Sequence, residues 1–124
     1  MPTPLEGIRV LDFCNYIAGP YCPTLLADLG AEVIKIEAHR GDQTRYFPSS
    51  LKGETRMFLG ANRNKQGMVL DLKRGAARDI VYKLTKTVDV VVENFRPGVT
   101  DRLQIGYEHL AAVNPRLIYA SISG

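Results

Sequence analysis

Cysteine is scarce in this chain. Cys14 and Cys22 are the only two among 124 residues, and they fit no disulfide framework, no C-x-x-C metal spacing and no haem-attachment signal. Long apolar runs are missing too: no segment approaches the ~18 uninterrupted apolar residues of a membrane span. The opening M-P-T-P-L-E-G lacks the charged region and apolar stretch of a secretory signal, so the expected compartment is the cytoplasm or an organelle matrix, and no membrane partner is expected. No five like charges occur in a row. Sixteen Lys and Arg against thirteen Asp and Glu give a net charge of +3 and a pI near 9.0. That excess reads either as a solvated surface or as cations feeding an anion-binding cleft. Without a denser basic patch or a binding motif, nucleic acid is not an expected partner. G-x-G-x-x-G and the Walker A motif are both absent, which argues against nicotinamide, flavin and the usual nucleotide hydrolases.

What is present is an alternation of strand and helix patterns. Ile8 to Phe13 (I-R-V-L-D-F) is a β-branched and aromatic run of strand length. Pro20 suits the first turn of a helix, which places Pro23 in that turn as well. Leu25, Leu26 and Leu29 would share the helix's apolar face, and Gly30 would stop it. Ala31 to Glu37 reads as a second strand, so residues 8–37 form one βαβ unit with parallel strands.

Residues 38–66 are rich in Gly, Pro, Ser and Asn, with little periodicity. They carry Arg40, Arg45, Lys52, Arg56, Arg63 and Lys65 besides His39, none of them paired or buried by pattern. A stretch this long inside a domain is usually functional or a folded-down excursion. Gly67 to Leu72 is the third strand. Lys73 to Thr87 is an amphipathic helix on Ala77, Ile80, Val81 and Leu84. Val88 to Asn94 is the fourth strand, followed by short helices over Asp101 to Gly106 and Tyr107 to Val113. Arg116 to Ser123 is the fifth strand. The expected fold class is α/β: Rossmann-like, a mostly parallel sheet of about five strands with flanking helices. Parallel strands need cover on both faces, and few helices are available for five strands. The fold is therefore expected to be incomplete at the C-terminus, the N-terminal part of a longer protein.

Ligands in such sheets sit outside the carboxyl ends of the strands. The fourth strand runs V-V-V-E-N-F-R-P-G there. Asn94 offers donor and acceptor, Phe95 a flat apolar face, and Arg96 a guanidinium suited to phosphate. On chemistry alone this is as well an ordinary polar strand exit as a binding edge. Lys73 at the end of the third strand and Arg102 beyond Pro97 add cations to the same edge, a pattern that suits a phosphorylated nucleotide. The start of the first helix, at Ile17 and Ala18, offers free N–H groups to an anionic or polar ligand. His39, beside Arg40, is the better placed histidine; His109 reads as a surface or packing residue. Cys14 has no partner base and reads as a small buried apolar residue. Asp12, without a second carboxylate, reads as structural.

Together, P-L-E-G-I-R-V-L-D-F, A-G-P, L-A-D-L-G-A-E-V-I-K-I-E, G-D-Q-T-R, N-R-N-K-Q-G-M-V-L-D-L-K, D-V-V-V-E-N-F-R-P-G-V-T-D-R-L and N-P-R-L-I-Y-A-S-I-S-G resemble, in order, the N-terminal part of the class III CoA-transferase family, which spans formyl-CoA transferase, carnitine CoA-transferase and α-methylacyl-CoA racemase. The resemblance covers nearly the whole chain. It implies that residues 1–124 are the N-terminal part of a large CoA-binding domain, with coenzyme A or acyl-CoA bound as substrate, a carboxylic acid as the other substrate, and an interlocked homodimer at full length. By position, Ile17, Ala18, Leu70, Asp71, Leu72, Lys73, Asn94, Phe95, Arg96 and Arg102 fall where the family contacts CoA. After Glu37 the family often carries Arg or Pro, whereas this chain reads Ala38-His39-Arg40. His39 and Arg40 both stay candidates for the adenosine side. The family's nucleophilic Asp lies beyond S-I-S-G, and none of Asp12, Asp28, Asp42, Asp71, Asp79, Asp89 or Asp101 takes its place. The resemblance thus implies transfer of CoA between carboxylic acids through an aspartyl intermediate whose Asp is outside this chain, so the chain alone is expected to be inactive. An acyl-CoA racemase on the same scaffold and a non-catalytic CoA-binding fragment are the alternatives.

Overall fold

Val10 and Leu11 are neighbours in sequence, point to opposite faces of their strand, and are both fully buried. Successive strand residues alternate faces, so a strand buried on both can only be the middle of a sheet with cover on each side. That is where the computed structural model, which describes residues 1–123, places it. The strands β1 (Arg9–Asp12), β2 (Glu32–Glu37), β3 (Lys65–Val69), β4 (Val90–Glu93) and β5 (Ile118–Ser121) form one sheet in the order β3-β2-β1-β4-β5. Every neighbouring pair is parallel.

The alternation sorts the core into two layers. Leu11, Phe13, Ile34, Ile36 and Val91 pack with Val81 of α3 (Gly75–Thr85) and Leu110 of α5 (Tyr107–Val113). Val10, Cys14, Val33 and Val92 pack with Ala27 of α1 (Ala18–Asp28) on the other face. The strand order reverses direction between β1 and β4, and in such sheets a crevice opens at that reversal, outside the carboxyl ends.

Several expectations change on contact with the structure. Of the expected leucine face of α1, Leu26 packs against the core but Leu25 and Leu29 are 43% and 47% exposed, and the buried face is Gly19, Pro20, Pro23, Thr24 and Ala27. Small residues there let the helix lie close to the sheet. A Cβ on Gly19 would stand 2.5 Å from Cγ of Asn94 and 2.8 Å from Cβ of Cys14, so only glycine fits. Pro23 lies inside the helix rather than in its first turn. In α3, Ile80 is exposed and Thr85 is buried in its stead.

Residues 38–66 hold a 3₁₀ turn at Gln43–Tyr46 and a helix, α2 (Arg56–Asn62), which periodicity did not disclose. Each start is capped by a side chain: Asp42 accepts from the Thr44 N–H, and the Thr55 hydroxyl accepts from the Phe58 N–H. The Thr24 hydroxyl shares its one proton between the carbonyls of Pro20 and Ala61 and so joins α1 to α2. β3 starts at Lys65 and ends at Val69, leaving Leu70 to Lys73 in the loop behind it. The short helix α4 spans Val99–Arg102, ahead of the expected Asp101 to Gly106, because Gly98 supplies the left-handed backbone from which it starts.

Candidate functional site

The carboxyl ends of β1 and β4 are tied together by two asparagines. The Asn15 N–H donates to Oδ1 of Asn94 at 2.8 Å, and Nδ2 of Asn94 donates to the Asn15 carbonyl at 2.8 Å. The Asn94 amide is thereby committed to the scaffold. The next residue, Phe95, is set by Glu93, whose buried carboxylate accepts the Phe95 N–H at 2.8 Å and a hydroxyl hydrogen bond from Ser121 of β5.

Phe95 lines two adjoining cavities. One, of about 150 Å³, is bounded by Ile36, Leu70, Asp71, Leu72, Lys73 and Leu103. The other, of about 530 Å³, is bounded by Asn15, Tyr16, Gln43, Asn94, Arg96 and Val99. Asn15 and Ala38 also border both. A third cavity, of about 350 Å³, lies over the ends of β2 and β3 and takes in His39, Arg40, Glu37 and Arg45. The structure therefore brings Leu70, Asp71, Leu72, Lys73, Asn94, Phe95 and Arg96 around one crevice, with His39 and Arg40 at its flank. Ile17, Ala18 and Arg102 line none of these three cavities. Ile17 and Ala18 lie exposed at the start of α1, which no side chain caps, and Arg102 is exposed at the end of α4.

Of the cations in residues 38–66, for which no pairing was visible in the sequence, Arg45, Arg63 and Lys65 form ion pairs, while Arg40, Lys52 and Arg56 enter none among the described residues. Nζ of Lys65 lies 2.8 Å from Oδ2 of Asp12 and also donates to the Pro20 carbonyl and to Oδ1 of Asn62. Nζ of Lys35 lies 3.0 Å from Oδ2 of Asp42 and donates to the Cys14 carbonyl at 2.6 Å. The Arg45 guanidinium grips both oxygens of Glu37, at 2.9 and 2.7 Å, and lies 3.6 Å from the centre of the Phe58 ring. Arg63 pairs with Asp28. All four lysine and carboxylate ends of the first two pairs are out of solvent.

These surroundings move the titrating groups. Burial pushes the Asp42 carboxyl up, but the Thr44 N–H and hydroxyl and the Lys35 ammonium outweigh it and hold it below the usual range. Glu37 is likewise pushed up by burial and brought below its ordinary value by Arg45 and the Asp42 N–H. Burial depresses the Lys65 ammonium against the pull of Asp12. The Cys14 thiol is driven far up by burial and then by the Asp12 charge, which leaves it a buried, protonated thiol rather than a nucleophile. Among the described residues no cluster of three His, Cys, Asp or Glu could hold a metal ion, and no helix is long and apolar enough to cross a membrane.

By contrast, Arg40, Lys73, Arg96 and Arg102 enter no salt bridge among the described residues and are exposed. Sequence reasoning missed Asn15, Tyr16, Gln43 and Arg45. Asn15 could have been found as the partner of Asn94 at the neighbouring strand end. Nothing in the sequence signals Tyr16, whose backbone is left-handed at φ 67°.

The fold and crevice define a parallel α/β domain with a cleft at the sheet reversal, lined by Tyr16 and Phe95 and bordered by the exposed cations Lys73 and Arg96. The chain belongs to CoA-transferase family III, whose family model matches residues 5–124. It is 46% identical to acetyl-CoA:oxalate CoA-transferase of Acetobacter aceti over 98% of this chain and 31% of that protein. It is 41% identical to formyl-CoA:oxalate CoA-transferase of Escherichia coli (strain CFT073) over 100% of this chain and 30% of that protein. A CAIB/BAIF family protein from Brucella suis superposes with a TM-score of 0.94 at 39% identity, covering all of this chain and 34% of that structure. The chain thus spans about a third of the length of the curated relatives it matches.

Proposed function

We propose that residues 1–124 bind the CoA moiety of acyl-CoA for an enzyme that moves CoA between carboxylic acids. The observation that carries this is the crevice around Phe95. Its apolar walls suit the pantetheine arm, and Lys73 and Arg96 on its rim suit the phosphates, with Arg40 at its flank and Arg102, exposed outside it, as further cations. Leu70 to Lys73 offer a strand-end loop to the nucleotide, while His39 and Arg40 flank the adenosine side. The exposed N–H groups at Ile17 and Ala18 face a polar or anionic part of the substrate. Because the Asn94 amide is committed to Asn15, its contribution is to hold Phe95 and Arg96 in place. Relatives sharing over 40% identity carry the names of CoA-transferases, which favours transfer over racemisation.

In this reading the reacting carboxylate is an Asp outside this chain, CoA passes through an aspartyl thioester, and this stretch alone binds CoA without transferring it. The full-length assembly is an interlocked homodimer in the cytoplasm. Calorimetric titration of the chain with CoA tests the core of the proposal. Saturable heat that weakens in Lys73→Ala and Arg96→Ala is expected. No heat at about millimolar CoA, with the far-ultraviolet circular dichroism of an α/β domain intact, would sink it.

A further inference from the structure

Tyr16 is the one residue bordering the largest of these three cavities whose backbone is left-handed without being glycine or asparagine, at φ 67°. Such a conformation in a bulky L-residue is uncommon and costs free energy, so it persists only where the surroundings enforce it. Here they do. Its N–H points to Oδ1 of Asp42 at 3.3 Å, and Asp42 is fixed by Lys35 and Thr44. On its other side Asn15 is locked to Asn94. All of this holds in place a side chain with no part in the apolar core: Tyr16 is 53% exposed and lies outside both core clusters. Its hydroxyl bonds no other described residue. Glycine would take up the same backbone at less strain, so the ring itself is what the position supplies.

We infer that Tyr16 forms the wall of the acyl-CoA site opposite Phe95 and packs against the pantetheine arm rather than the nucleotide. This rests on the CoA-binding reading above. The division of labour follows from the linings. His39, Arg40 and Arg45 stand together at the cavity over β2 and β3, where phosphates find cations, and Lys73 at the edge of the smaller, apolar cavity. The Tyr16 cavity has Arg96 as its one cation among Asn15, Gln43, Asn94, Phe95 and Val99. Amide and aromatic surfaces of that kind match a chain of amides and methyl groups ending in a thioester.

Three ligands and two variants test this in the 124-residue chain: CoA, pantetheine and adenosine 3′,5′-bisphosphate, titrated against wild type, Tyr16→Gly and Tyr16→Phe, with melting temperatures alongside. Tyr16→Gly is expected to weaken CoA by about tenfold, the size of a lost aromatic contact, and pantetheine by a similar factor. Its affinity for the bisphosphate and its melting temperature should hold or, for the latter, rise. Tyr16→Phe should stay within about twofold of wild type for CoA. CoA affinity unchanged in Tyr16→Gly, an equal loss for the bisphosphate, or a fall in melting temperature would each overturn the assignment while wild-type CoA binding still stands. Absence of CoA binding by the wild type would overturn the parent reading and this one with it.

Discussion

Where residues 38–66 meet the sheet, Lys35, Lys65, Asp12 and Asp42 are withdrawn from water and each ammonium faces a carboxylate. Around Phe95, Lys73 and Arg96 stand exposed, in no salt bridge among the described residues. The same residue types therefore serve opposite ends. In the first region the desolvated pairs fasten the excursion to the sheet, and their energy is locked into the fold. In the second the cations are solvated, so removing one leaves the fold almost untouched and changes only what the surface attracts. Substitutions should split accordingly, into those read by stability and those read by ligand affinity.

The largest effect is expected from Lys65→Met, which leaves Asp12 buried without its counter-ion. Urea unfolding should show a loss of about 3–5 kcal/mol, and an unchanged midpoint would mean that the pair is not desolvated in solution. Next is Gly19→Ala, whose methyl group collides with Asn94 and Cys14. Overpacking of this kind costs about 1–3 kcal/mol, and opening the Asn15–Asn94 pair should weaken CoA as well, so this variant registers on both scales. Arg96→Ala should move stability by less than about 0.5 kcal/mol while weakening CoA by about tenfold or more, as expected for a lost charge-assisted hydrogen bond to phosphate. A stability loss as large as that of Lys65→Met would erase the contrast between the two regions.

The smallest effect concerns acid. Asp42 and Glu37 are both held below their ordinary values. Folding therefore weakens their hold on protons, and the stability they contribute is complete above the unfolded carboxylate values. It is lost as pH falls through the folded ones, so the melting temperature should decline below about pH 4. Asp42→Asn should start lower at neutral pH and descend less steeply.

Four strands were legible because β-branched runs such as Val90 to Val92 bounded by turn residues favour extended structure; the third was placed too late, since its first half, Lys65 and Gln66, carries no strand signal. The parallel arrangement followed from the helical patterns between the strands. The face of α1 was not legible. Leucine spacing points to Leu25 and Leu29, but close approach to the sheet is decided by small residues, Gly19 and Ala27 among them, which carry no hydrophobic signal. The turn and helix within residues 38–66 escaped because both begin at side-chain caps in a polar, glycine-rich stretch and gain their order from tertiary contacts. The buried lysines escaped for a related reason, since Lys65 and Asp12 are fifty-three residues apart and no local spacing links them. Of the candidate site, Lys73, Phe95 and Arg96 followed from strand-end position, whereas Leu70, Asp71 and Leu72 entered only through the family resemblance. The part played by Tyr16 depends on a backbone angle that sequence does not encode visibly.

The central place of β1 also sets a timetable for synthesis. Val10 pairs with Val33 on one side and with Val90 on the other. As the chain leaves a ribosome, β1 can meet β2 early, but it waits with one bare edge until the fourth strand emerges. During that interval the crevice has only one bank, and nothing exists for a ligand to bridge. An apolar edge left open for so long is where a nascent chain pairs wrongly. Translation pauses placed between residues 37 and 90 should therefore lower soluble yield more than pauses placed after Ser121.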